Sequence, residues 1–239
     1  MKISIVIPAH NEDRYIGNCL TSIANLKIPS GVELEVLVIL NRCIDDTESI
    51  ASKFGARIVS NDSKNLSNIR NQGVRASTGE WVITIDADSW VSENALVEIH
   101  KEIGSGEVVC GGMTMRPERW SMGIAVGYFM VALPAAISGV SFGLYWFKKE
   151  CFDVIDGFDE SKLIGEDADF YTRLKNYARS IGKTHKKIYK AKVTTSCRKF
   201  DQFGDWYFLR IYSNPLQVAR AKNGTDKKFL DKYWYDVKR

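Results

Sequence analysis

Cysteine is sparse and scattered in this chain. Its five residues, Cys19, Cys43, Cys110, Cys151 and Cys197, are odd in number and show no C-x-x-C spacing. That pattern argues against a disulfide framework and a cysteine zinc site. Histidine is scarcer: His10, His100 and His185 fall in different predicted elements, so a histidine metal cluster is not indicated. Internal repeats and low-complexity tracts are absent, which argues against solenoid and disordered classes. No secretory signal opens the chain, because Lys2 leads at once into the short β-type run Ile3-Ser4-Ile5-Val6-Ile7-Pro8. A cytoplasmic location is the default expectation. No Gly-rich G-x-G-T-R-like loop follows that run, which argues against a sugar-phosphate nucleotidyltransferase. Charge is also missing from Trp120 to Phe147. That length would suffice for a bilayer span, but Gly123, Gly127, Pro134, Gly139 and Gly143 interrupt it. The pattern predicts a helix, a turn around Pro134 to Gly139 and then a strand, in a buried or membrane-resting segment.

What is present is an ordinary globular composition, 45% hydrophobic over 239 residues, compatible with one large α/β domain or two small ones. Charge is unevenly placed. From Arg173 to Arg239 there are 18 Lys and Arg against 5 Asp and Glu, a net +13; the other residues carry 15 against 24, a net −9. A basic C-terminal third attracts phosphates, anionic lipid head groups or nucleic acid, or is a solvated basic face.

Strands and helices alternate through the first half. Lys2–Pro8, Glu35–Leu40, Arg57–Ser60 and Trp81–Asp86 are apolar, β-branched runs that predict buried strands. Asn11 is placed to cap a helix carrying Ile16, Leu20 and Ile23; Asp45 to Glu48 open a second, ended by Gly55; Asn65 to Ser77 form a third. Such alternation implies a parallel sheet with right-handed crossovers. Ligands of these sheets bind at the strands' carboxyl ends. Pro8-Ala9-His10-Asn11-Glu12, Asn41-Arg42-Cys43 and Asp86-Ala87-Asp88 all fall there, so three distant polar clusters are expected along one sheet edge. Further on, Val108–Met113, Gly143–Lys148 and Lys187–Ser196 read as strands, Gly157–Glu160 as a turn, and Gly165-Glu166-Asp167 as a helix start. The tail from Arg198 is aromatic and basic, and reads as helical. No linker separates two independently folding domains.

Two acidic clusters can carry chemistry. In an extended chain Asp86 and Asp88 project to one side, and two adjacent carboxylates repel unless a cation lies between them. Hard oxygen ligands suit Mg²⁺ or Mn²⁺, with phosphate oxygens completing the shell; a turn-forming pair is the alternative. Glu166-Asp167 is either a helix-capping pair or a general base tuned by neighbouring carboxylates and partial burial. His10 offers a flat ring for a nucleobase or is an ordinary surface histidine. Arg70, Arg198 and Lys199 are candidate phosphate contacts. The run Phe200, Phe203, Trp206, Tyr207, Phe208 is either tail packing or an acceptor platform.

Six segments, in order, resemble glycosyltransferase family 2, the inverting transferases of GT-A fold. Ile7-Pro8-Ala9-His10-Asn11-Glu12 is similar to I-P-x-x-N-E, and Asn41 to Thr47 to N-x-S/C-x-D-D-T. Ile69 to Gly73 matches A-R-N-x-G and Ile85 to Asp88 matches L-D-A-D. Gly157 to Glu160 matches G-F-D-E, and Gly165 to Asp167 the E-D motif. The resemblance implies a single GT-A domain, α/β with a Rossmann-like, mostly parallel sheet flanked by helices. Residues 1–115 would bind the nucleotide sugar, 116–200 would form the acceptor side, and 201–239 the basic C-terminal segment. It implies that Asp88, with Asp86, holds the metal (Mn²⁺ or Mg²⁺) and diphosphate. Asp167 would deprotonate the acceptor hydroxyl, supported by Glu166. Pro8, Ala9, His10, Asn11, Glu12, Asn41, Arg70, Asp86, Ala87 and Arg198 would line the nucleotide sugar. Two departures stand out. Leu40-Asn41 replaces the acidic pair that often reads the base, leaving uracil and guanine open. The Q-x-x-R-W motif of processive synthases is missing, so one transfer per encounter is expected.

The function expected is metal-dependent inverting transfer to a glycan, glycolipid or other hydroxyl acceptor in cell-envelope synthesis, with peripheral contact to the inner face of an anionic membrane and no nucleic-acid partner. A transferase to a polyprenyl phosphate is the alternative enzyme; a non-catalytic nucleotide-sugar-binding protein is the alternative without turnover.

Overall fold

The computed structural model describes residues 1–138, 141 and 143–214, leaving aside the side chains of 136–138. The first half alternates as expected: β1 (Lys2–Ala9), α1 (Ile16–Ala24), β2 (Glu33–Asn41), α2 (Thr47–Lys53), β3 (Arg57–Asn61), α3 (Leu66–Ala76) and β4 (Trp81–Ile85). A short β5 (Ser89–Val91), α4 (Ala95–Gly104), β6 (Val108–Pro117) and α5 (Met122–Ser138) follow. Then come β7 (Leu144–Lys148), α6 (Lys149–Val154), α7 (Glu166–Ser180), β8 (Thr184–Thr195), α8 (Arg198–Phe203) and α9 (Tyr207–Tyr212).

Among the described residues the eight strands form one sheet in the order β3-β2-β1-β4-β7-β6-β8-β5. Strands β3, β2, β1 and β4 run parallel. The second half is mixed: β7 is antiparallel to β4 and β6, β8 is parallel to β6, and β5 is antiparallel to β8. Alternate residues of each strand feed opposite faces. On one face Ile3, Ile5, Ile7, Val38 and Ile83 meet Ile16 and Leu20 of α1 and Leu96 and Ile99 of α4. On the other, Val6, Leu37, Ile39 and Val82 meet Ile69 and Val74 of α3 and Phe170 and Leu174 of α7. The result is a helix–sheet–helix sandwich with a single continuous sheet. Helix α3 lies unusually close to it: a Cβ on Gly73 would come within 2.4 Å of Val6 Cγ1 and 2.8 Å of Ile39 Cγ1.

Three local expectations change. Asn11 does not cap α1, whose N-cap is Tyr15 without a side-chain cap bond. Asn11 instead takes a positive φ of 53°, a conformation asparagine tolerates because its short side chain bonds locally; its Oδ1 accepts from the Ile44 N–H at 2.9 Å. Pro134 does not end the apolar helix. Helix α5 runs on to Ser138 with Pro134 inside it. Proline removes one backbone donor there, and the packing of α5 on the rest of the molecule outweighs that loss; residues 139, 140 and 142 of the expected turn lie outside the described residues. Finally, Asp86 to Asp88 is a turn and not an extended pair, closed by the Ser89 N–H on the Asp86 carbonyl at 3.0 Å. The basic segment from residue 215 onward also lies outside the described residues.

Candidate active site

The ends of β1 and β4 and the start of α8 converge on one cavity of about 370 Å³. One wall is Pro8, Glu12, Asp86, Ala87, Asp88, Ser196 and Arg198, most of them polar. Sequence reasoning had placed all of these but Ser196. Ser196 directly follows β8, and its hydroxyl donates to Asp88 Oδ2 at 2.9 Å. Parallel pairing explains the meeting: β1 and β4 are adjacent and point the same way, so the residues that follow them arrive at the same edge.

Each acidic residue of the edge is matched by a guanidinium. Arg198 donates from Nη1 to Glu12 Oε2 at 2.6 Å and lies 3.0 Å from Asp88 Oδ2 through Nη2. Its Nε is buried without a partner, and its guanidinium sits over the Tyr15 ring at 5.5 Å. Arg70, 6% exposed, donates from Nη2 to Asp86 Oδ1 at 2.8 Å and from Nη1 to Glu166 Oε1 at 2.9 Å. One buried side chain therefore joins the Asp86 turn to the first residue of α7. Glu166 and Asp167 do not line the cavity; Glu166 connects to the Asp86 turn through this arginine. Burial, reinforced by the neighbouring Asp167, raises the Glu166 pKa against the opposing pull of Arg70.

The segment around Ile69 to Gly73 now has a physical account. Arg70 carries the ion pairs, Gly73 admits the helix against the sheet, and Asn71 holds the Gly157–Glu160 turn. Its amide donates to the Phe158 carbonyl and to Glu160 Oε1, both at 2.9 Å, and accepts from the Phe158 N–H at 2.8 Å. Phe158 then stacks on Phe170 at 3.9 Å and lies under Arg70. Gly165, at φ 75°, starts α7 with no side-chain cap bond. Asp167 accepts instead from the Tyr145 hydroxyl at 3.2 Å and the Ala168 N–H at 2.7 Å. Tyr145 carried no signal in the sequence; the pairing of β7 with β4 brings it there.

Other predicted residues, Ala9, His10, Asn11, Asn41 and Arg70 among them, do not line the cavity. Ala9 is buried. His10 bonds through Nδ1 to the Asn41 carbonyl and remains half-buried. Asn41 is 2% exposed, and its amide donates to the carbonyls of Asn61 and Ser63 at 2.8 and 2.6 Å. That side chain is spent on the end of β3. Asp45 organises the loop between β2 and α2: partial burial opposes its ionisation, but hydrogen bonds from Thr47 and Asp13 outweigh it and lower its pKa. Of the aromatic run, Tyr207 packs with Ile211, Leu163 and Ile164, while Phe200 and Phe208 also face the cavity. Among the described residues no three His, Cys, Asp or Glu side chains gather into a metal-binding group.

Residues 4–121 match the family model described as Glycosyl transferase family 2. A Methanococcus voltae protein named dolichyl N-acetyl-alpha-D-glucosaminyl phosphate 3-beta-D-2,3-diacetamido-2,3-dideoxy-beta-D-glucuronosyltransferase is 25% identical over 188 residues, covering 71% of this chain and 58% of that protein. The structure of Staphylococcus aureus TarS 1-349 with UDP-GlcNAc superposes with a TM-score of 0.66 at 18% identity, over 82% of this chain and 58% of that one. The mannosyltransferase PcManGT from Pyrobaculum calidifontis, solved with GDP-Man and Mn²⁺, superposes with a TM-score of 0.64 at 21% identity, over 80% of this chain and 56% of that one. The chain spans 15% to 58% of the length of the curated relatives it matches. The ordered motifs and the match over residues 4–121 point to glycosyltransferase family 2, and the solved structures share the fold.

Proposed function

We propose that the chain transfers a sugar from a nucleoside diphosphate sugar to a hydroxyl acceptor, with inversion, in cell-envelope glycan or glycolipid synthesis. The observation that carries this reading is the Arg70 bridge, which couples Asp86 to Glu166, the neighbour of Asp167 at the start of α7. Donor-binding and base-bearing segments are thereby held in one unit. Solved proteins of the same fold hold UDP-GlcNAc or GDP-Man, which supports a nucleotide sugar in the cavity.

The donor set fits a hard divalent cation. Asp86 and Asp88 offer oxygen only, on the wall of one cavity, and two carboxylates leave phosphate oxygens to complete the shell. These two residues would hold Mn²⁺ or Mg²⁺, and the ion would neutralise charge on the leaving diphosphate. Arg198 lies beside Asp88 with its Nε unpaired, a donor left for a phosphate oxygen. Pro8, Glu12 and Ala87 shape the pocket, and the half-exposed His10 ring offers a stacking face to the base.

Asp167 is the base in this reading because Glu166 is committed to Arg70. The acceptor oxygen attacks the anomeric carbon as its proton passes to the Asp167 carboxylate. The bond from that carbon to the diphosphate oxygen breaks, and the diphosphate leaves with the electron pair. Thermal-shift titration with UDP- and GDP-sugars, with and without Mn²⁺, tests the donor assignment, since a ligand raises apparent stability by mass action. Asp88→Asn is expected to remove the Mn²⁺-dependent part of the shift; an unchanged shift in that variant overturns the metal role.

A further inference from the structure

The cavity has a second, apolar end. Beyond Asp88 and Arg198 its wall is Met113 and Met115 of β6, Tyr128 and Val131 of α5, and Phe200 and Phe208. The diphosphate and the hydroxyls of a nucleotide sugar find no partner in this lining. The outer face of α5 is apolar as well and open to solvent: Met122 is 77% exposed, Phe129 65% and Leu133 63%. Trp120 at 54%, Trp206 at 41% and Tyr212 at 43% extend the same character along both ends. A helix apolar all round is ordinarily buried. Here, among the described residues, the inner side is the covered one, with Gly123 close against Asp205 and Gly127 against Phe208. Exposed contiguous apolar surface of this kind marks an interaction site.

Length and charge select the partner. Helix α5 has 17 residues, about 25 Å, and among the described residues no helix is long and apolar enough to cross a membrane. An apolar face flanked by tryptophan, tyrosine and cations instead suits the plane of the bilayer interface. The cations are near: Lys187 and Lys199 stand on the cavity wall, and Arg116 of β6 and Arg210 of α9 are exposed. An anionic lipid surface complements that charge.

We propose that the α5–α9 face seats in the head-group layer of an anionic membrane, and that the apolar end of the cavity takes the hydrocarbon chain of a lipid-linked acceptor whose phosphate meets Lys187 and Lys199. This rests on the glycosyl-transfer reading and names its acceptor class. The head group's sugar hydroxyl is the nucleophile: its oxygen bonds to the anomeric carbon, its proton goes to Asp167, and the nucleoside diphosphate departs with the bonding pair.

The test uses the full chain. Vesicles of phosphatidylcholine with phosphatidylglycerol are expected to sediment it, and vesicles of phosphatidylcholine alone are not. The double variant Phe129→Glu, Leu133→Glu is expected to stay in the supernatant while keeping the thermal shift with donor and Mn²⁺. Farnesyl phosphate is expected to bind more than about tenfold tighter than inorganic phosphate, because each buried methylene is worth about fourfold. Failure to sediment with anionic vesicles, or equal sedimentation of the double variant, overturns the docking face and leaves the chain's own C-terminal residues or a second protein as its cover. Equal binding of the two phosphates overturns the acceptor chain. Loss of the donor shift in the unmodified protein is a separate result, and condemns the underlying transferase reading.

Discussion

Replacing Arg70 by methionine isolates the interaction that joins the two acidic segments. Methionine keeps an unbranched apolar stem but leaves Asp86 and Glu166 without their cation. The Glu166 side chain is 13% exposed and that of Asp86 40% exposed, so the loss falls mainly on Glu166. Breaking a buried pair by removing one partner costs about 3–5 kcal/mol. The partial exposure of Asp86 puts the expected cost near the lower end, about 3 kcal/mol. At about 2–4 °C per kcal/mol for a chain of this size, Tm falls by about 6–12 °C at neutral pH. The pH dependence carries the diagnosis. Burial already raises the Glu166 pKa above its ordinary 4.5, and Arg70 opposes that rise; without Arg70 it climbs further. A carboxyl with a raised folded pKa destabilises the fold as pH rises from the unfolded value through the folded one. The deficit of Arg70→Met is therefore expected to shrink as pH falls toward 4.5, and Arg70→Met with Glu166→Gln is expected to recover much of it at neutral pH. Calorimetry across that range, on the single and double variants, measures both. A deficit independent of pH and untouched by Glu166→Gln would refute the ion-pair account and leave lost packing as the cause.

Asp167→Asn is expected to keep the donor-induced thermal shift while abolishing transfer, read by release of free nucleoside diphosphate with and without acceptor; equal loss of binding and transfer removes Asp167 from the role of base. Glu35 supplies a second pH prediction. Burial opposes its ionisation, but hydrogen bonds from Ser4, Thr78 and Arg57 hold its pKa at about 2. A depressed carboxyl contributes stability above the unfolded value that is lost as pH falls through the folded one. Urea midpoints are thus expected to drop between about pH 4.5 and 2, and Glu35→Gln to flatten that slope.

Much of the site was legible in the order of residues. The apolar runs before Pro8, Asn41 and Asp86 defined strands, and the carboxyl-edge rule gathered their ends without any coordinates. Pro8, Glu12, Asp86, Ala87, Asp88 and Arg198 do share one cavity. What failed was local. Asn11 read as a cap because capping and a left-handed turn favour the same side chain. Pro134 read as a breaker because local propensity ignores the tertiary packing that carries a helix past it. Helix α4 and strand β5 were not anticipated, since each owes its place to partners distant in sequence: α4 to the sheet face and β5 to β8.

By itself, then, the sequence determined which candidate groups this protein carries: two acidic segments, their arginines and the strands that deliver them. Those are short-range facts, written in residue type and period. Only the tertiary structure decided the pairing of charges. Arg70 and Glu166 stand far apart in the chain, as do Glu12 and Arg198, and nothing local in either pair specifies the other. The same holds for the apolar half of the cavity, which exists because β6, α5 and α9 close around it. Burial and ion pairing depend on which distant segments share a surface, and that is settled only when the whole sheet has formed.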